Sequence, residues 1–155
     1  NTHRTGAMRP ANEYHLQGKI MALSVVKDSI DLGIITKDPE KMLVFYRDTL
    51  GLELVGELPM PGGGTMYRLN GGTSVIKIVV QGREPRAVAP PGGLAGATGY
   101  RYWTITVDNI EEAVKTCEDA GYKISVPITE FRPGVTISMI EDPDGNWVEL
   151  VQMAG

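Results

Sequence analysis

Apolar positions along this chain repeat first with a strand period, then a helix period, then a strand period again, and the whole cycle occurs twice. Residues 30–36 are an apolar run rich in β-branched side chains, the composition of a buried strand. Met42, Phe45, Tyr46 and Leu50 then recur at steps of three and four, which puts them on one face of a helix. Asp38 is placed to cap that helix, Pro39 to occupy its first position and Gly51 to end it. Residues 52–58, 65–70 and 73–81 read as three strands, separated by Pro61-Gly62-Gly63-Gly64 and by Gly71-Gly72. Residues 83–99 are rich in Pro and Gly with little periodicity, and read as a linker or a lid.

The order then returns. Residues 102–107 form a strand, Asp108 or Asn109 caps a helix with the apolar stripe Ile110, Ala113, Val114 and Cys117, and Gly121 closes it. Strands follow at 123–126, 135–141 and 147–152. Residues 32–43 overlay 103–114 at a constant offset of 71 positions. The chain is therefore an internal β-α-β-β-β repeat. The fold class expected is α+β, with module one at 29–82, the linker at 83–99 and module two at 100–152, all within a single domain spanning 28–152.

Residues 1–27 lack the apolar core of a secretory signal and are expected to be an extension. Thr5-Gly6-Ala7-Met8 resembles a vector-derived leader, with Met21 a further candidate start, and both histidines, His3 and His15, fall in this segment.

The last turn and strand carry most of the candidate chemistry. Pro143 and Gly145 between Asp142, Asp144 and Asn146 make a tight turn, since Pro fixes φ, Gly accepts positive φ and Asp or Asn bond to nearby backbone. In the strand that follows, Trp147, Glu149 and Val151 share one face and Val148 and Leu150 the other. Glu149 is thus a carboxylate between apolar neighbours, a candidate ligand or base.

Composition narrows the function classes. The 155 residues carry a net charge of −4, which argues against nucleic acid and suits a neutral or cationic small molecule. No apolar run approaches the roughly 20 residues that span a bilayer. Cys117 is the single cysteine, so no internal disulfide forms and a reducing, cytoplasmic location is expected, with the thiol read as a small apolar side chain. Ser74 and Cys117 have no histidine near enough in sequence to activate them, so a nucleophilic triad is excluded. Gly62-Gly63-Gly64 lacks the Lys-Ser/Thr of a phosphate loop.

The stretch Gly33-Ile34-Ile35-Thr36-Lys37-Asp38-Pro39-Glu40-Lys41, followed by Phe45-Tyr46-Arg47-Asp48, Leu50-Gly51-Leu52 and the Asp-Pro-Asp-Gly-Asn turn with its strand Glu, resembles the vicinal oxygen chelate superfamily. That group includes glyoxalase I, bleomycin-resistance proteins and extradiol dioxygenases. The resemblance implies two tandem β-α-β-β-β modules rolled into half-barrels, commonly paired as a homodimer. In metal-using members four side chains, from the first and last strands of each module, hold a divalent ion.

Carried across, those four positions fall on Asp31, on Tyr102, on Glu149 and on either Lys77 or Ile76. Only Glu149 keeps the expected residue type. With no histidine after His15, the nitrogen donors that iron dioxygenases need and zinc or nickel sites favour are missing. An extradiol dioxygenase is not expected, and no cofactor is expected, though Asp31 and Glu149 alone suit Mg²⁺, Mn²⁺ or Ca²⁺. If Lys77 points into the cup, its ammonium would neutralise Asp31 and Glu149, with the Tyr102 hydroxyl as a further donor.

Three readings follow. A small-molecule-binding protein with a degraded metal site ranks first, its flat or cationic ligand held by Trp147, Tyr102 and the carboxylates, with Lys77, Tyr67 and Arg68 lining the cup and Arg101 and Arg132 lining or gating it. A metal-free lyase or isomerase with Asp31 or Glu149 as general base ranks second, and a weakly metal-dependent lyase third. Trp103, on the opposite face from Glu149, is read as core. The expected partners are a small molecule and a second copy of the chain, with neither nucleic acid nor membrane.

Overall fold

The first strand, β1 (Leu32–Ile35), alternates as a half-buried strand should, with Leu32 and Ile34 turned to the core and Gly33 and Ile35 to the opposite face. It is shorter than the apolar run predicts. Thr36 leaves the strand to accept the Asp38 N–H on its hydroxyl at 3.1 Å. Asp38 then caps α1 (Pro39–Leu43), accepting from Lys41 N at 3.2 Å. The helix widens into a π-helical turn over Val44–Thr49, where the Leu50 N–H reaches back five residues to the Phe45 carbonyl. Gly51, at φ 77°, ends it.

The computed structural model describes residues 22–155, so His3, His15 and most of the segment 1–27 lie outside the described residues. Residues Asp31–Gly155 make up one unit. After α1 come β2 (Glu53–Pro59), β3 (Gly64–Gly71) and β4 (Ser74–Gln81), then a 3₁₀ turn at Gly93–Ala95 inside the linker. The second module is β5 (Tyr102–Thr106), α2 (Ile110–Asp119), β6 (Ile124–Arg132), β7 (Val135–Glu141) and β8 (Trp147–Met153). Each module is a four-stranded mixed sheet, ordered β1-β4-β3-β2 and β5-β8-β7-β6, with only the first strand parallel to its neighbour. These are the two tandem half-barrels of an α+β fold.

β6 runs six residues beyond its expected end at Val126, through Pro127. It is the sheet's edge strand, and a register shift between Val126 and Thr129 places Pro127 and Ile128 opposite Ser138 alone. A Pro is tolerated at such a bulge because no ladder N–H is required of it. At α2 the N-cap position is Asn109, whose side chain makes no capping bond. The first helical N–H, of Ile110, is instead taken by Gln152 Oε1 at 2.8 Å, from the far end of β8.

One continuous core joins the modules. Met42, Phe45, Tyr46, Leu69, Ile76 and Ile78 from the first pack with Ile110, Val114, Cys117, Ile140, Val148 and Leu150 from the second. Aromatic rings cross the join: Phe45 meets Tyr122 edge-on at 4.8 Å, and Tyr46 stacks on Trp103 at 6.2 Å. Among the described residues no helix is long and apolar enough to cross a membrane.

Candidate functional site

The face of each sheet turned away from the core is the inner surface of its half-barrel, and strand register decides which side chains stand there. In module one, Gly33 pairs with Lys77, Lys77 with Arg68, and Arg68 with Gly56, so a single row Gly33-Lys77-Arg68-Gly56 crosses all four strands. In module two the equivalent row is Thr104-Glu149-Met139-Val126. Lys77 thus stands where Glu149 stands in the other module, while Ile76 is 3% exposed and faces the core. Two adjacent cations occupy the floor of one half-barrel and a carboxylate the floor of the other.

Each of the other candidate residues has a definite place. Asp31 lies at the start of β1 on the inner side, and its Oδ1 accepts the Val75 N–H at 3.0 Å, so one oxygen extends the sheet ladder. Glu149 Oε1 accepts the Thr104 hydroxyl at 2.8 Å. Tyr102, opposite Trp147, is half-exposed. Both rings line a cleft of about 230 Å³ together with Gly33, Ile35 and Ala89, where β1 and β5 lie near each other. The structure therefore brings Tyr102 and Trp147 together, and Lys77 and Arg68 together. Among the described residues no ion pair joins Lys77 to Asp31 or to Glu149.

Tyr67 is a correction. It pairs with Ile78 and packs against the core, because residues one apart on β3 point to opposite faces and Arg68 takes the inner one. Arg132 closes β6 at an exposed edge position.

The linker proves to be a strap held down by Arg101. Its Nε donates to the Gly93 carbonyl at 2.7 Å, and Nη2 donates to the Pro90 carbonyl at 2.7 Å and to that of Pro91 at 3.4 Å. Gly93 rests directly on the indole of Trp147. A Cβ there would fall 2.0 Å from Trp147 Cε2, so no other residue fits. Trp147 is consequently covered on one face by the strap instead of standing as an open wall.

One polar group that the sequence presented only as a turn residue is central to the join between modules. Asp142, 4% exposed, accepts from Asp144 N, Asn146 N and Asn146 Nδ2, each at 2.9 Å, and from the Tyr46 hydroxyl at 2.7 Å. Burial pushes the Asp142 carboxyl above its ordinary value even against the pull of these donors. Burial, with the charge and hydrogen bond of Asp142, holds the Tyr46 phenol well above its own. Burial also pushes the Cys117 thiol up to about 11, which makes it an inert core residue.

Among the described residues no group of three or more His, Cys, Asp or Glu side chains converges as a metal site would need. Comparison with curated proteins finds no match. Solved structures do match: a glyoxalase family protein from Bacillus cereus is 17% identical, with a TM-score of 0.73 over 86% of this chain and 100% of that one. A glyoxalase family protein from Enterococcus faecalis is 22% identical, with a TM-score of 0.58 over 82% of this chain and 95% of that one. A glyoxalase/bleomycin resistance protein from a Streptomyces species is 19% identical, with a TM-score of 0.59 over 79% and 98% respectively. At these identities the likeness is one of fold. The family model of the Glyoxalase/Bleomycin resistance protein/Dioxygenase superfamily matches residues 28–150, and the chain belongs to that superfamily.

Proposed function

We propose that this chain is a small-molecule-binding member of its superfamily whose half-barrels work without a histidine-ligated metal. The observation that carries this reading is that Lys77, paired with Gly33, holds the position in module one that Glu149, paired with Thr104, holds in module two. An ammonium in place of one carboxylate repels a dication, and one oxygen of each carboxylate already accepts a hydrogen bond, Asp31 from Val75 N–H and Glu149 from the Thr104 hydroxyl. Tyr102 is a neutral phenol and adds little as a donor. What the two inner faces offer a ligand is charge on their floors and apolar walls around them, the makeup of a small-molecule site.

On the inner faces of a single chain Ile35 is 46% and Tyr102 49% exposed. This supports closure by a second copy, as a homodimer. Catalysis is the second reading. Thr104 fixes one oxygen of Glu149 and leaves the other to take a proton from a bound carbon acid, so a metal-free lyase or isomerase would use Glu149 as its base.

A thermal-shift screen of small organic molecules in excess EDTA tests the first reading. Saturable stabilisation of the protein by at least one chemical class is expected, with no conversion of that molecule over time. The reading fails if all stabilisation disappears with EDTA and returns with added Mn²⁺ or Zn²⁺. Turnover of the bound molecule that Glu149→Gln abolishes would establish the second.

A further inference from the structure

Arg68 and Lys77, both cations, stand directly opposite each other on β3 and β4. Residues directly opposite on an antiparallel pair have their Cβ atoms about 5 Å apart, and like charges so placed destabilise a sheet. Both side chains are half-buried, and among the described residues neither makes an ion pair or a side-chain hydrogen bond. On this face Asp31 immediately precedes β1, and Glu53 stands opposite Asn70 on the edge strand. Neither comes within ion-pair distance of either cation. A chain of net charge −4 has carboxylates to spare for neutralising these two, yet none is placed there.

At one end of the row the Arg68 stem lies over Gly56, its Cδ 3.5 Å from where a Gly56 Cβ would be. At the other end, Gly33 leaves the space above Lys77 clear, with nothing within 4 Å of its own absent Cβ. Along β4 the flanking inward residues are Val75 and Val79, 8% and 5% exposed, and Met66 and Ile35 stand on either side of Val79. The result is a guanidinium fork and an ammonium beside an apolar wall.

We propose that Arg68 and Lys77 form the oxyanion subsite of the cup, and that its ligand is a small organic acid. The carboxylate or phosphate head sits between the two cations, and the apolar body lies over Ile35, Met66 and Val79. The planar fork of Arg68 suits bidentate contact with an oxyanion, while Lys77 adds a point charge. This reverses the cationic ligand suggested by the chain's overall charge, and it rests on the small-molecule reading above.

The test uses the full chain in EDTA at low ionic strength, with benzoate, phenyl phosphate, benzyl alcohol and benzylamine as calorimetric probes. Benzoate or phenyl phosphate is expected to bind, whichever is tighter naming the head group, and the neutral and cationic analogues to bind at least tenfold more weakly. Lys77→Met and Arg68→Met should each weaken the acid's binding about tenfold or more. Arg68→Lys should keep part of it. Without ligand, Lys77→Met should raise Tm at low salt, because it removes a like-charge pair, and the gain should shrink as salt screens that repulsion. Equal binding of benzylamine and benzoate, unchanged binding by Lys77→Met, or no binding by any probe would each overturn the proposal. So would a fall in Tm on Lys77→Met, which would mean that a carboxylate such as Glu149 neutralises Lys77 when the cup closes. The proposed function fails separately, through loss of all ligand stabilisation in EDTA.

Discussion

Tyr46→Phe removes one hydroxyl and nothing else from the join between the modules, and its cost can be worked from the geometry. The hydroxyl donates to Asp142 Oδ2 at 2.7 Å in a site where Tyr46 is 0% and Asp142 4% exposed. A hydrogen bond to a charged group contributes roughly 1.5–3 kcal/mol, and Asp142 keeps the donors from Asp144 and Asn146, so the loss should be about 2 kcal/mol. For a chain of this size that lowers Tm on the order of 5–8 °C. The pH dependence gives a sharper check. The folded phenol's value lies well above its unfolded one, so its contribution is whole below about pH 10 and is lost as pH climbs further, because only the unfolded state then releases the proton. One unit above, the loss is about 1.4 kcal/mol, and the phenylalanine variant does not suffer it. Denaturant unfolding at neutral pH and at pH 11 should therefore show a gap between the two proteins that narrows by about that amount. A gap that is below about 0.5 kcal/mol at neutral pH, or unchanged at pH 11, would refute the assignment of this hydroxyl as a structural clamp.

Gln152→Ala should cost about 1 kcal/mol in denaturant unfolding, because it uncaps Ile110 N, while Asn109→Ala should cost less than half of that. Equal losses would return the cap to Asn109. Gly93→Ala should unseat the strap, since φ is +54° and the new methyl would collide with Trp147. Faster limited proteolysis within residues 83–99 is the expected readout, and unchanged cleavage would show that the strap does not rest on that ring.

The repeat made the fold legible. Strand, capped helix and three strands recur at a fixed offset, and the helix stripe Met42, Phe45, Tyr46 sits in the core as its spacing requires. What escaped was what depends on register or on distant partners. Whether Lys77 or Ile76 faces inward is fixed by the pairing of Gly33 with Lys77, which no single strand reveals. Tyr67 was legible in principle: it has the same parity as Leu69, and two apolar side chains on one face of β3 mark the core side. Asp142 read as turn chemistry because its fourth donor, Tyr46, lies 96 residues away. The Gln152 cap was hidden for the same reason, 42 residues from Ile110. β6 continues through Pro127 beyond the strand expected at 123–126, because an edge strand with a bulge admits a proline.

The proposed function turns on Lys77 standing on one floor where Glu149 stands on the other. The most direct measurement is the divalent and transition metal content of the purified full chain, determined per polypeptide by plasma mass spectrometry before and after dialysis against EDTA, with Tm followed in parallel. The account predicts far less than one metal ion per chain and an unchanged Tm. A stoichiometric metal whose removal lowers Tm, and whose binding Glu149→Gln abolishes, would contradict it.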